Sequence, residues 1–213
     1  MYDLNERMIA RPVDTKTKIL DAAEKLFGQN GFESTSLRDI TAEADVNLAS
    51  VNYHFQSKDS LIDAVIKRRI EPVNCRRLEM LEVAGPNPTL EQILLAFIQP
   101  VFAQDPTPII PLMGRIFTSP DDFARRMFKN HLSNIAQRFL QEFGKAAPHL
   151  SYQACVWRMH FAAGAMANVL SRSHLLQEAA GIAADMSDIN DRMTVAARLV
   201  EFAAAGFRAP EGF

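Results

Sequence analysis

Apolar residues recur along this chain at intervals of three and four. Ile19, Ala22, Ala23, Leu26 and Phe27 trace one stripe, the spacing that turns one face of a helix toward a core, and Gly31 supplies a stop in the left-handed region. A short second run places Leu37, Ile40 and Ala44 on one face behind Ser36 and Asp39, which stand at capping-box spacing. Asn47 reads as the N-cap of a third brief helix, over Leu48 to His54. Ser57 opens a much longer segment in which Leu61, Ala64 and Val65 keep the period. Pro72 removes a backbone donor there, so a kink or split is expected before about Val83.

The pattern continues after a break at "GPNP", residues 85–88. Thr89 and Gln92 open a helix carrying Leu90, Ile93, Leu94, Phe97 and Val101, and "DPTP" closes it. Further helices are expected near 109–117, 121–145 and 151–173, and a last one over 189–207 with Val195, Leu199, Phe202 and Ala203 on one face. Runs of alternating β-branched residues and hairpin turns are missing from the pattern. The fold class expected is all-α, with about nine helices: a three-helix module joined to a C-terminal bundle.

Composition narrows the partners. The chain has 213 residues, 48% of them apolar and 23% charged, with a formal net charge of -2. No global positive excess announces a polyanion, so any nucleic-acid surface must be local. Acids and bases nearly cancel over residues 1–70 as well. Cys75 and Cys155 form neither a CxxC pair nor a Cys/His cluster, which argues against a zinc site or a disulfide framework and for a reducing cytoplasm. The opening residues lack a signal-peptide apolar core, and no apolar run reaches the length of a membrane span. HExxH, Glu-x-x-His, P-loop, GxGxxG and GxSxG patterns are all absent. Asp121 and Asp122 read as first-turn charges favoured by the helix dipole. The expectation is a non-enzyme with no catalytic residue, metal or cofactor.

The second and third short helices, joined by a three- or four-residue turn, have the layout of a helix-turn-helix, whose second helix lies in the DNA major groove. "NLASVNYHF" suits that place. Val51 and Phe55 anchor it inward, while Leu48, Ala49, Ser50, Asn52 and Tyr53 can face DNA. Asn52 can pair bidentately with adenine and Ser50 can meet a base or a phosphate; Tyr53 and His54 are placed for phosphate oxygens. Lys58 adds charge to a helix N-terminus suited to phosphate. Thr35, Ser36 and Arg38 would hold the backbone on the other side, and Asn47 begins the reading helix. Capping alone explains most of Ser36, Asn47 and Ser57.

Residues 17–65, from the "ILDAAEKLFGQNGF" helix to "YHFQSKDSLIDAV", closely resemble the N-terminal DNA-binding domain of TetR-type transcriptional regulators. Two positions depart from the pattern. Asp45 stands where glycine is usual in the turn, and Asn52 where tyrosine is common, a change expected to alter operator choice. The resemblance implies a homodimer on a palindromic operator, double-stranded DNA as partner, and a C-terminal domain that binds a small effector. "VNLASVNYHF", "RRIEPVNCRRLEML" and "WRMHFAAGAM" look most like the PsrA-type branch, which implies a fatty acid or acyl-CoA and control of lipid metabolism. A sensor of drugs or aromatic compounds is the runner-up, and a helical lipid carrier is the rival from another class.

On this reading residues 1–14 are an N-terminal arm, 15–60 the DNA-binding module and 61–213 the ligand-binding and dimerisation domain. The C-terminal part is rich in Phe and Met and interrupted by prolines, a composition that can leave an apolar pocket between helices. Phe97, Met113, Phe117, Met127 and Phe161 are the apolar candidates; Arg115, His131, Trp157, Arg158 and His160 could meet a polar head group. Packing in the core competes with that role at each position. Ala163, Gly164, Ala167 and Leu170, with Val195, Leu199 and Phe202, are the expected dimer stripe.

Overall fold

Local sequence chemistry sets most of the helix ends. The computed structural model describes residues 14–103, 121–180 and 191–212, and the regular elements among them are all helices. In order they are α1 (Thr15–Asn30), α2 (Leu37–Ala44), α3 (Leu48–Phe55), α4 (Lys58–Ala84), α5 (Leu90–Ala103), α6 (Asp121–His131), α7 (Ser133–Ala146), α8 (Tyr152–Ala180) and α9 (Arg192–Arg208). The helix expected at 109–117 and nearly all of the N-terminal arm lie outside the described residues.

Each short helix has a cap that consumes an orphan N–H. Ser36 Oγ accepts from the Asp39 N–H at 3.2 Å while the Asp39 carboxylate accepts from the Ser36 N–H at 2.8 Å, the reciprocal capping box. Asn47 Oδ1 accepts from the Ser50 N–H at 2.8 Å, and Thr89 with Gln92 repeats the box at the start of α5. These hydrogen bonds with Ser36 hold the Asp39 carboxyl below its ordinary range.

Two expectations about helix continuity change. α4 runs through Pro72 without a break. Pro72 is exposed, so water can serve the carbonyl that loses its donor. The helix expected over 121–145 is in fact two, parted at Leu132, whose φ of -121° and ψ of -24° leave the helical basin. Neither proline nor glycine marks that corner. The His131 carbonyl at the break instead accepts from Asn74 Nδ2 at 3.1 Å.

The chain divides into two compact units between Val65 and Ile66, inside α4. In the first, Ile19, Ala23, Phe27, Ile40, Val51, Phe55 and Leu61 are buried, and the turn between α2 and α3 passes through Asp45 in the left-handed conformation, φ 52° and ψ 54°. Asp pays little for that geometry. Gln56, after α3, sits at φ 64° and ψ -41°, and the Ser57 N–H donates to the Phe55 carbonyl at 2.7 Å. That is a γ-turn with positive φ, a strained form. Gln56→Gly should therefore raise the unfolding free energy by about 0.5–1 kcal/mol, read as a shift of the urea midpoint.

In the second unit α9 packs along α5 and against α8, with α7 closing the other side. Phe97, Phe139, Phe143 and Phe207 form its centre; the Phe143 and Phe207 rings stack at 4.4 Å and Phe97 tilts against Phe139 at 5.2 Å. Arg77 lies within this core. Its Nε donates to the Phe97 carbonyl at 2.9 Å, Nη1 donates to Asn74 Oδ1 at 3.1 Å, and the guanidinium stands 4.7 Å from the centre of the Phe97 ring. Burial pushes its pKa down to about 10, which leaves it charged at neutral pH. At the far end Arg158 Nη1 donates to the carbonyls of Gly206, Phe207 and Ala209, capping α9. Glu211 accepts from the Ser151 N–H at 2.8 Å and its hydroxyl at 2.6 Å, tying the chain end to the start of α8.

Candidate nucleic-acid interface, effector groove and pairing face

The first unit sorts its candidate residues into two groups. Asn52 and Tyr53 stand exposed on α3, Tyr53 at 83%, beside Leu48 and Ala49 at the helix start. Those four side chains can meet a ligand without disturbing the core. Tyr53 and His54 rings meet edge to face at 5.1 Å, which orients the phenol. Arg38 is exposed on α2. Lys58, at the first turn of α4, donates to the Glu33 carbonyl at 3.4 Å. Ser36, Asn47 and Ser50 already spend their side chains on the caps.

Thr35 corrects the sequence reading. It is fully buried, and its hydroxyl donates to the Gly31 carbonyl at 2.8 Å, so it braces the α1–α2 turn rather than facing a phosphate. The expectation failed because a threonine beside a cap looks the same in sequence whether it points out or in.

The effector candidates separate further. Phe97 and Met127 are closed in the core, and Met113, Arg115 and Phe117 lie outside the described residues. Trp157, His160 and Phe161, read above as pocket residues, stand exposed on α8. Among the described residues His131 is the one candidate that lines a groove of the second unit, an open one of about 460 Å³ between α4 and the α6–α7 corner. One face of α4 supplies Lys67, Ile70, Glu71, Asn74, Cys75 and Leu78, at helical spacing. The opposite wall includes Asn134, Ile135 and Arg138 of α7. Sequence reasoning passed over Lys67, Glu71, Asn74 and Arg138 because polar residues on a long helix ordinarily face water; their shared stripe was the available signal.

α8 and α9 also carry an aromatic face turned outward. Trp157 is 52% exposed, Phe161 62% and Phe202 71%, and the first two rings stack at 5.7 Å. Ser151 against Glu211 and Arg158 against residues 206–209 make the two helices antiparallel, which sets Phe161 and Phe202 at a similar level along the pair. Gly164 is exposed, and a Cβ built there meets nothing within 4 Å. Leu199 departs from the expected stripe: it is buried in the core, facing inward, as a residue three before Phe202 can. Ala163, Leu170 and Val195 are half-buried against that core, and Ala167 is half-buried on α8.

Residues 19–65, the stretch holding the helix-turn-helix, match the family model described as "Bacterial regulatory proteins, tetR family". Residues 95–206, more than half of the chain, match "Tetracyclin repressor-like, C-terminal domain". The chain belongs to the TetR family. Its TetR relatives are named as regulators and not as enzymes. The probable HTH-type transcriptional regulator YttP of Bacillus subtilis is 36% identical over 90 residues, 42% of either chain. This chain thus spans less than half of that relative's length. The HTH-type transcriptional regulator UidR of Escherichia coli K12 is 28% identical over 143 residues, covering 64% of this chain and 71% of UidR. The Staphylococcus aureus (strain Newman) "Biofilm operon icaADBC HTH-type negative transcriptional regulator IcaR" is 24% identical, over 61% of this chain and 68% of its own. Among solved structures, Salmonella enterica GusR shares the fold at a TM-score of 0.63, with 22% identity over 94% of this chain and 99% of that one. Among the described residues of this TetR-family chain no helix is long and apolar enough to cross a membrane, and no cluster of His, Cys, Asp and Glu could hold a metal ion.

Proposed function

We propose that this TetR-family regulator is a repressor that binds a palindromic operator as a homodimer, with α3 in the major groove, and that a small effector alters that binding. The carrying observation is the outward face of α3. Asn52 and Tyr53 are exposed while Val51 and Phe55, on the same two turns, are buried, so the helix is held firmly and presents polar groups with no hydrogen-bond partner among the described residues. IcaR is named a negative regulator, which favours repression as the sign.

The roles divide by chemistry. Asn52 reads a base edge, and Lys58, Arg38 and Tyr53 position the phosphate backbone. Because the module is close to neutral, selectivity rests on few contacts. Asn52→Ala should relax preference at one base position by about 1–3 kcal/mol, whereas Lys58→Ala should weaken all sequences alike and reduce the salt slope by about one. Titrating each variant against single-base operator substitutions checks both. A uniform loss from Asn52→Ala would remove the base-reading role.

The aromatic face of α8 and α9 is the pairing surface in this account. Nothing among the described residues requires a small residue at Gly164, and close approach of a partner helix does. For the effector, Phe97 and Met127 are occupied in holding the core, which weakens the fatty-acid or acyl-CoA expectation and turns attention to the groove on α4.

A further inference from the structure

Resting on the regulator reading above, we propose that Leu48 reads the C5 methyl of a pyrimidine in each operator half-site, so that the protein prefers thymine at that position and distinguishes 5-methylcytosine from cytosine there. Among the described residues of the first unit, Leu48 and Tyr53 are the large apolar side chains left exposed, Leu48 at 43%. A single exposed leucine is ordinary on a protein surface. Its place on α3 sets this one apart.

Leu48 is the first residue of α3, and the opening residues of a groove-bound helix are the ones that reach base edges. It stands four positions before Asn52, so the two side chains share one stripe of the helix. The polar groups beside it are engaged with one another: Asn47 Oδ1 accepts from the Ser50 N–H at 2.8 Å and from the Ser50 hydroxyl at 2.9 Å. What the first turn presents outward is therefore Leu48 with Ala49, both exposed.

The major groove offers such a pair one apolar feature. Donors and acceptors line the rest of the base edges, and a leucine laid on any of them strips water from a polar group and gives nothing in return. The thymine methyl gains from the contact, and 5-methylcytosine carries the same methyl on the same carbon. One helical turn rises about 5.4 Å and one base pair about 3.4 Å, which puts the methyl one or two base pairs from the base that Asn52 reads.

Deoxyuridine is thymidine without the methyl, so it removes this contact and leaves the pairing edge intact. In the shortest duplex from upstream of the gene that keeps full affinity, each thymine is replaced singly by deoxyuridine and the full-length protein is titrated by anisotropy. One thymine per half-site should lose affinity by about four-fold, the worth of one buried methyl-sized group, and by about sixteen-fold when both half-sites carry the change. Leu48→Ala, which alters both subunits, should match the double substitution and be indifferent to deoxyuridine at that position, the non-additivity of groups in contact. Leu48→Met keeps an apolar side chain and should retain the sensitivity. Cytosine placed there should bind about four-fold more weakly than 5-methylcytosine. Specific binding that no deoxyuridine weakens, or a loss that persists in full in Leu48→Ala, overturns the assignment, and equal affinity for the two cytosines removes the methylated base from it. Failure of the regulator reading looks different: the unsubstituted duplex is then bound no better than a scrambled one, and the assignment falls with it.

Discussion

Phe143→Ala should lower the unfolding free energy by about 3–5 kcal/mol, the cost of removing a large aromatic from a core that cannot collapse around the gap. Phe143 has no exposed surface. It stacks on Phe207 of α9 at 4.4 Å, tilts against Phe139 at 6.3 Å and meets Phe97 of α5 edge to face at 6.5 Å. One ring thus joins α5, α7 and α9, and its loss leaves contacts unmade on three sides. Phe143→Leu keeps much of the volume and should cost less than half as much. Urea unfolding monitored by helical circular dichroism reads both. A loss under about 1 kcal/mol for Phe143→Ala would mean that the helices pack elsewhere than described.

Phe161→Glu combined with Phe202→Glu should convert the protein to a monomer at micromolar concentration and lower operator affinity by a factor of about 10²–10⁴. Two tethered modules bind far more tightly than one, because the second binds at the effective concentration set by the first. Both rings are mostly exposed within one chain, so charge at these positions costs the isolated fold little and opposes burial against a second copy. Sedimentation velocity gives the assembly state, and circular dichroism the retained helix content. A variant that stays dimeric with unchanged operator affinity would move the pairing surface off this face.

How far the sequence discloses this molecule depends on the range of the interactions. Caps are local: Ser36 with Asp39, Asn47 with Ser50 and Thr89 with Gln92 involve groups three residues apart, and each is legible from spacing alone. The Asp45 turn is legible for the same reason. The corner at Leu132 is not, because the residues around it keep a helical pattern and the break is matched by Asn74, far away in sequence. Thr35 is misread because its acceptors lie behind it in the α1–α2 turn.

The candidate sites follow the same division. α3 reads clearly because its outward and inward residues alternate within eight positions. Trp157 and Phe161 look like pocket residues because periodicity locates a face without saying whether that face turns to the core or outward. Lys67, Glu71 and Asn74 read as a solvated stripe, and only the opposing wall of α7 makes them a groove.

The central claim is that this chain recognises a specific duplex. It is tested most directly by fluorescence anisotropy of the purified protein titrated into DNA from upstream of its own gene, beside a scrambled duplex of equal length and composition. The account predicts binding to the upstream DNA tighter by about 10³ or more, falling steeply as salt rises. Equal affinity for the two duplexes at moderate salt would contradict it.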